Sequence, residues 1–308
     1  MGLTRAKMGP LPYDPTIYRG SAPYYACGRP PYSRELVPTL TDEAGLDGSG
    51  RLLDVGCGPG ILTVELAPSF DEAIGLDPDA DMLDEGERRA REAGVNSIRW
   101  VQAVAEEITE LGLGPCKLVT FGQSFQWTDR ERVAEGIYDL LEPGGTLALI
   151  VHTVEGRPEP EPPGYPPIPH DEIDEIVRRY LGPRRRAGQG FRTAPPDRYE
   201  DALARTRFGK PRVVFAPGRP DVVRDVDSVL AGFLSMSYAA PHLFGDRLDA
   251  FSADVRALLS ERSPSGLFWD WPGDTEILLA RKPRQGGSGS SGGTRSQLPG
   301  SPTTVHPK

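Results

Sequence analysis

The chain has 308 residues, 38% hydrophobic and 26% charged, with 35 Lys and Arg against 44 Asp and Glu and a formal net charge of −9. This is an ordinary globular composition, long enough for one large domain or two small ones, and its acidity disfavours extensive nucleic-acid binding, which requires clustered cations. No apolar run approaches the roughly 18 residues of a membrane helix, and Cys27, Cys57 and Cys116 stand at spacings that fit neither a disulfide framework nor a zinc cluster.

Taken in chain order, Arg51 to Val55 reads as a strand running into the glycine-rich turn Gly56-Cys57-Gly58-Pro59-Gly60. Ile61 to Ala67 supplies a helix that Pro68 ends, and Ala73 to Leu76 a buried strand stopped by Asp77 and Pro78. The alternation continues with a helix over Asp81 to Ala93 and strands at Ile98 to Val101 and Lys117 to Phe121. A helix over Arg130 to Leu141 follows, then a strand over Gly145 to Val151 after the turn Glu142-Pro143-Gly144. Strands alternating with helices predict an α/β, Rossmann-like doubly wound sheet, seven-stranded and mainly parallel. Seven prolines between Pro158 and Pro169 then predict an extended segment, opening a helical lid inserted after the fifth strand. Helices are expected near Asp171 to Leu181, Asp197 to Arg205, Asp221 to Ser235 and Asp246 to Leu259, with strands at Arg212 to Ala216 and Thr275 to Ala280. The Gly- and Ser-rich stretch from Pro283 to Lys308, without an acidic residue, predicts a disordered tail. Four segments result: a cap over 1–45, a ligand-binding core over 46–152, a lid with substrate helices and closing strands over 153–282, and the tail over 283–308.

Glycines at 56, 58 and 60 let the backbone approach a ligand at a helix start. Their spacing departs from the dinucleotide fingerprint, because Ile61 stands where that pattern places its third glycine. Asp54 at the strand end would repel a diphosphate but favour a ligand carrying an ammonium and a sulfonium, and S-adenosylmethionine carries both. Asp77, ending the next strand, is placed to accept hydrogen bonds from two ribose hydroxyls.

Leu53-Asp54-Val55-Gly56-Cys57-Gly58-Pro59-Gly60 and Ile74-Gly75-Leu76-Asp77-Pro78 resemble the first two motifs of the class I S-adenosylmethionine-dependent methyltransferases of small-molecule type. Val101 to Glu107, Ser124-Phe125-Gln126-Trp127 and Leu141 to Gly145 extend the resemblance over roughly residues 20 to 152. It implies S-adenosylmethionine as cofactor, with Asp54, Gly56, Gly58 and Gly60 at its methionine part and Asp77 at its ribose. Pro78 and Met82 would face the adenine, Ala105 and Glu106 its edge, and Gly122 would close the cofactor site. Tyr25 and Arg29, in Tyr24-Tyr25-Ala26-Cys27-Gly28-Arg29-Pro30, resemble the segment that folds over the cofactor in related enzymes. Two departures stand out: Ala103-Val104 where many relatives have Gly-Asp, and Gln126 where they have histidine, a residue that cannot become a cation.

The expected activity is methyl transfer to a small-molecule acceptor, a specialised metabolite. The candidate catalytic residues are His152, His242 and Gln126, and Tyr24, Gln126, Trp127, His152, Tyr238 and His242 are candidates to contact the acceptor. The competing readings are methylation of RNA or protein through the basic run from Arg178 to Arg192, a non-methylating rearrangement or cyclisation, and a nicotinamide oxidoreductase. Arg5 and Lys7 precede no apolar stretch, so a cytoplasmic monomer or homodimer with no membrane or metal partner is expected.

Overall fold

The computed structural model describes residues 14–153, 161–188, 190–191 and 197–284. Pro158, Pro160, Arg192, the residues before 14 and the expected disordered tail beyond Arg284 lie outside them.

Two helices precede the first strand: α1 (Ala22–Gly28) and α2 (Leu36–Ala44), neither of which was expected beyond a general cap. The core then runs β1 (Arg51–Val55), α3 (Ile61–Leu66), β2 (Glu72–Asp77), α4 (Ala80–Glu92), β3 (Ile98–Gln102), β4 (Cys116–Gly122), α5 (Arg130–Leu140) and β5 (Leu141–Thr153). The expected turn at Glu142-Pro143-Gly144 falls inside β5, as an irregularity where the β4–β5 register slips between Cys116 and Leu118. After β5 come α6 (His170–Leu181), the short strands β6 (Arg186–Ala187) and β7 (Gly190–Phe191), α7 (Tyr199–Ala204) and β8 (Arg212–Ala216). The helix expected over Asp221 to Ser235 divides into β9 (Val223–Asp225) and α8 (Val226–Leu234), because Asp225 caps the helix by accepting from the Ser228 amide. The chain continues through α9 (Leu248–Arg262), β10 (Leu267–Trp269) and β11 (Asp274–Arg281).

The sheet order is β3-β2-β1-β4-β5-β11-β8; β1 to β5 are parallel, and β11 runs antiparallel to β5 and β8. This is the Rossmann-like, mainly parallel seven-stranded sheet. Strand residues alternate between two buried faces. Leu53, Val55, Leu76 and Phe121 pack with Val133 and Ile137 of α5, whereas Leu52, Leu118 and Ile150 pack with Leu36 of α2 and Leu66 of α3.

The insertion between β5 and β11 has its own core, in which Ile173 and Val177 of α6 meet Leu230 and Phe233 of α8 and Phe251 and Val255 of α9. Helix α1 lies against α8 at a glycine contact: a Cβ on Gly28 would stand 2.4 Å from the Ala231 carbonyl carbon. Ser21 Oγ donates to the Leu234 carbonyl, and Arg29 Nη2 to that of Ser235. Buried Arg224 donates to the Cys27 and Gly28 carbonyls while pairing with Asp270 at 2.9 Å. The N-terminal helix is thereby fastened to the insertion along its length. Among the described residues no helix is long and apolar enough to cross a membrane.

Candidate active site

Parallel pairing aligns the ends of β1 and β2, so Val55 and Leu76 stand side by side and the glycine loop turns across both. The Gly56 and Cys57 amides donate to the Leu76 carbonyl at 2.7 and 3.0 Å. Asp77 accepts from the Gly58 amide at 2.8 Å and the Asp79 amide at 2.9 Å, so one carboxylate holds the loop on one side and the entry to α4 on the other. The three glycines serve different ends. A Cβ on Gly56 would meet Ser124 Cβ at 2.5 Å and one on Gly60 would meet the Trp100 ring at 2.5 Å, whereas Gly58 faces open space. Gly60 is thus a packing requirement of Trp100, which also touches Gly75 and Gly86.

A cavity of about 670 Å³ opens above this turn. Gly56, Gly58 and Asp77 form one wall, Met82 and Pro78 a second, Ala105 and Glu106 a third. Tyr18, Tyr25 and Trp127 close it, with the Tyr18 ring nearly perpendicular to Tyr25 and Trp127 at centroid distances of 6.2 and 6.1 Å. Asp77 is 8% exposed, and burial pushes its carboxyl up to about 6 against the pull of the two amides. Glu106 accepts from the Asp129 amide, the residue that caps α5.

A second cavity of about 670 Å³ adjoins the first, and Tyr25, Gly56, Gly122 and Gln123 line both. Arg29, Tyr32, His152, Asp54 and Cys57 line it as well. The Arg29 guanidinium lies 4.6 Å from the Tyr25 ring centroid, and its buried Nε has no hydrogen-bond partner. His152 stacks on Tyr32 at 4.9 Å with its Nδ1 buried and unpartnered; burial and the Arg29 charge push it down to about 4, so the ring is neutral at pH 7. Asp54, 1% exposed, accepts from the Thr63 and Thr120 hydroxyls at 2.6 and 2.8 Å, and burial lifts its carboxyl to about 6. Burial and the carboxylates of Asp77 and Asp54 push the Cys57 thiol well up, so it remains protonated.

The remaining candidates lie apart from these two cavities. His242 Nδ1 is 3.1 Å from the Arg19 carbonyl, Tyr238 donates to Asp174 beneath the Arg185 guanidinium, and Tyr24 packs into the insertion core. Gln126 lines a third, more open cavity of about 730 Å³ with Arg130, Tyr199 and Glu276. Sequence reasoning missed Tyr18, Tyr32, Gln123 and Ser124. Gln123 directly follows Gly122 at a strand's carboxyl end, where such sheets bind ligands, and that position was the available signal.

Residues 52–145, from β1 to the start of β5, match the family model described as a methyltransferase domain. They contain the glycine loop, Asp77 and the Ala105 turn. Over these residues the chain matches a methyltransferase domain. The fold is similar to an S-adenosylmethionine-dependent methyltransferase of Thiobacillus denitrificans solved with S-adenosyl-L-homocysteine (17% identity, 87% of this chain and 98% of that one, TM-score 0.47). It is similar also to a Geobacter sulfurreducens counterpart with the same ligand (17%, 88% and 99%, 0.45) and to a precorrin 8W decarboxylase of Methanobacterium thermoautotrophicum (13%, 88% and 98%, 0.46). No curated protein matches the chain. The methyltransferase match ends at residue 145, so the insertion lies beyond it.

Proposed function

We propose that the chain transfers the methyl group of S-adenosylmethionine to a small-molecule acceptor, a specialised metabolite, held between the α1 cap and the carboxyl edge of the sheet. The observation that carries this reading is the pair of adjoining cavities, one lined by Asp77 and the other by Arg29. In this reading Asp77 takes the ribose hydroxyls, Met82 and Pro78 the adenine face, and Ala105 with Glu106 its edge. Arg29 takes the carboxylate of the methionine end, while Asp54 and the loop at Gly56 and Gly58 provide negative potential and close backbone approach near its ammonium. The residues suit such a ligand: Arg29 offers a buried, unpartnered Nε, and the space beside Gly58 is open. Among the described residues, the hydrogen bonds from Ser21, Arg29 and Arg224 that tie α1 to the insertion favour an enclosed acceptor over an exposed macromolecule.

The bound cofactor supplies a methyl group already activated on a sulfonium. The chain's part is to align the acceptor along that bond and exclude water, and the aromatic lid of Tyr18, Tyr25 and Trp127 serves both ends. His152 faces the second cavity as a neutral, weakly basic ring, suited to orienting an acceptor through its free Nδ1. The test is incubation of the purified protein with a metabolite extract and S-adenosylmethionine deuterated on its methyl group, followed by mass spectrometry. A labelled small molecule supports the proposal; label confined to RNA or protein, or an unlabelled rearranged product, refutes it.

A further inference from the structure

Gln123 is the single residue common to all three cavities. It is also the one non-glycine residue of the described chain with positive φ, at 59°. For a side chain with a Cβ that conformation costs of the order of 1 kcal/mol and persists only where neighbours enforce it. Two contacts enforce it here: its amide donates to the Ile150 carbonyl at 3.0 Å, and its carbonyl accepts from Gln126 Nε2 at 2.5 Å. The other end of the Gln126 amide, Oε1, accepts from the Tyr199 hydroxyl at 2.6 Å. Tyr199 begins α7, receives the Arg130 guanidinium on its ring at 4.6 Å and meets Phe125 edge-on at 5.4 Å. A primary amide donates on one side and accepts on the other, which is what this bridge requires and what a carboxylate cannot do.

We infer that Gln126 is a positioning residue, whose amide clamps Gln123 in its left-handed conformation and ties the wall shared by the three cavities to Tyr199 of the insertion. The inference rests on the cofactor reading only for its ligand readout. Loss of the clamp frees Gln123 to relax to negative φ, which swings its side chain away from the junction of the two inner cavities.

The test uses Gln126→Glu in the full chain, at pH 7.5 and at pH 5.0, each compared with the wild-type protein at the same pH. The ionised side chain faces the Gln123 carbonyl without a proton; the protonated one regains a donor and keeps an acceptor. At pH 7.5 the variant should bind S-adenosyl-L-homocysteine about fivefold to tenfold more weakly than wild type, the scale of one lost hydrogen bond. Amide hydrogen exchange without ligand should be faster over residues 121–128, and both deficits should shrink at pH 5.0. Tyr199→Phe, which removes the anchoring hydroxyl without adding charge, should speed exchange over the same residues to a smaller extent. Wild-type behaviour of Gln126→Glu at pH 7.5, or a deficit equal at the two pH values, overturns the proposal, the latter because simple loss of packing has no reason to titrate. If wild type itself bound no S-adenosyl-L-homocysteine, the cofactor reading would fail, while the exchange measurement would still decide the role of Gln126.

Discussion

Replacing Asp77 by Asn separates what this carboxylate does for the fold from what it does for the ligand. In the folded chain burial lifts the carboxyl from 3.8 to about 6, which corresponds to roughly 3 kcal/mol of stability forgone by the ionised form at neutral pH. Asn removes that penalty. It also places an NH2 where one of the Gly58 and Asp79 amides now finds an acceptor, and an orphaned buried donor costs about 1–3 kcal/mol. The two effects offset, so the melting temperature of the ligand-free protein should stay within a few degrees of wild type. Ligand affinity should not: a hydrogen bond to a charged acceptor is worth about 1.5–3 kcal/mol, so S-adenosyl-L-homocysteine should bind roughly 10-fold to 100-fold more weakly by calorimetry. The same carboxylate sets a pH dependence. With the ribose at Asp77 as proposed, its hydroxyls would bond the ionised acceptor more strongly than the neutral one, so wild-type affinity should fall as pH drops below about 6, and the Asn variant should lack that decline. Equal affinity of the two proteins at pH 7.5 would refute the placement of the ribose at Asp77.

Asp54→Asn should stabilise the protein at pH 7 by up to about 3 kcal/mol, because the folded chain raises this carboxyl from 3.8 to about 6. Between those values the native state holds more protons than the unfolded chain, so wild-type stability falls as pH rises from about 4 to 6. Urea unfolding at pH 4.5 and 7 should show that fall in wild type and less of it in the variant. Gly60→Ala should cost about 2–4 kcal/mol, since φ is 67° and the new Cβ would stand 2.5 Å from Trp100. Gly94→Ala, at φ 71° with open space around it, should cost only about 1 kcal/mol, and equal losses in the two variants would mean that the Trp100 contact is not the cause. His152→Ala should retain turnover within about tenfold of wild type once an acceptor is identified; a loss of a hundredfold or more would instead assign the ring as general base.

The grouping of Gly56, Gly58 and Asp77 around the first cavity was legible because it is local. A strand, a glycine turn, a helix and the acid ending the next strand lie within Leu53 to Asp77, and parallel pairing does the rest. The cap was not, because what holds it is remote in sequence. Gly28 is glycine on account of Ala231, and Arg29 is aimed by the Ser235 carbonyl, contacts spanning about two hundred positions. Gly60 read as a ligand contact because its spacing is right, yet the atom that excludes a side chain there belongs to Trp100 on β3. Gln126 read as a candidate catalytic and acceptor-contact residue standing where relatives have histidine; its bonds to Gln123 and Tyr199 depend on where α7 docks, which no periodicity within residues 123–127 encodes.

Much of what this chain spends in stability is gathered at one edge of one sheet. Asp54 and Asp77 are buried carboxylates held above their ordinary range, His152 is a buried imidazole held below its own, Arg29 keeps an unpartnered nitrogen, and Gln123 sits in a left-handed conformation. By contrast, cations such as Arg88, Arg207 and Arg262 lie at the surface in pairs with Glu85, Glu135 and Glu172. Exposed pairs of that kind contribute little, so the uneven distribution is not explained by stability. A ligand bearing an ammonium near Asp54, a carboxylate against the arginine and a ribose against Asp77 would satisfy several of these groups at once. The ligand-free cost then becomes preorganisation, present before the cofactor arrives and recovered in part when it binds.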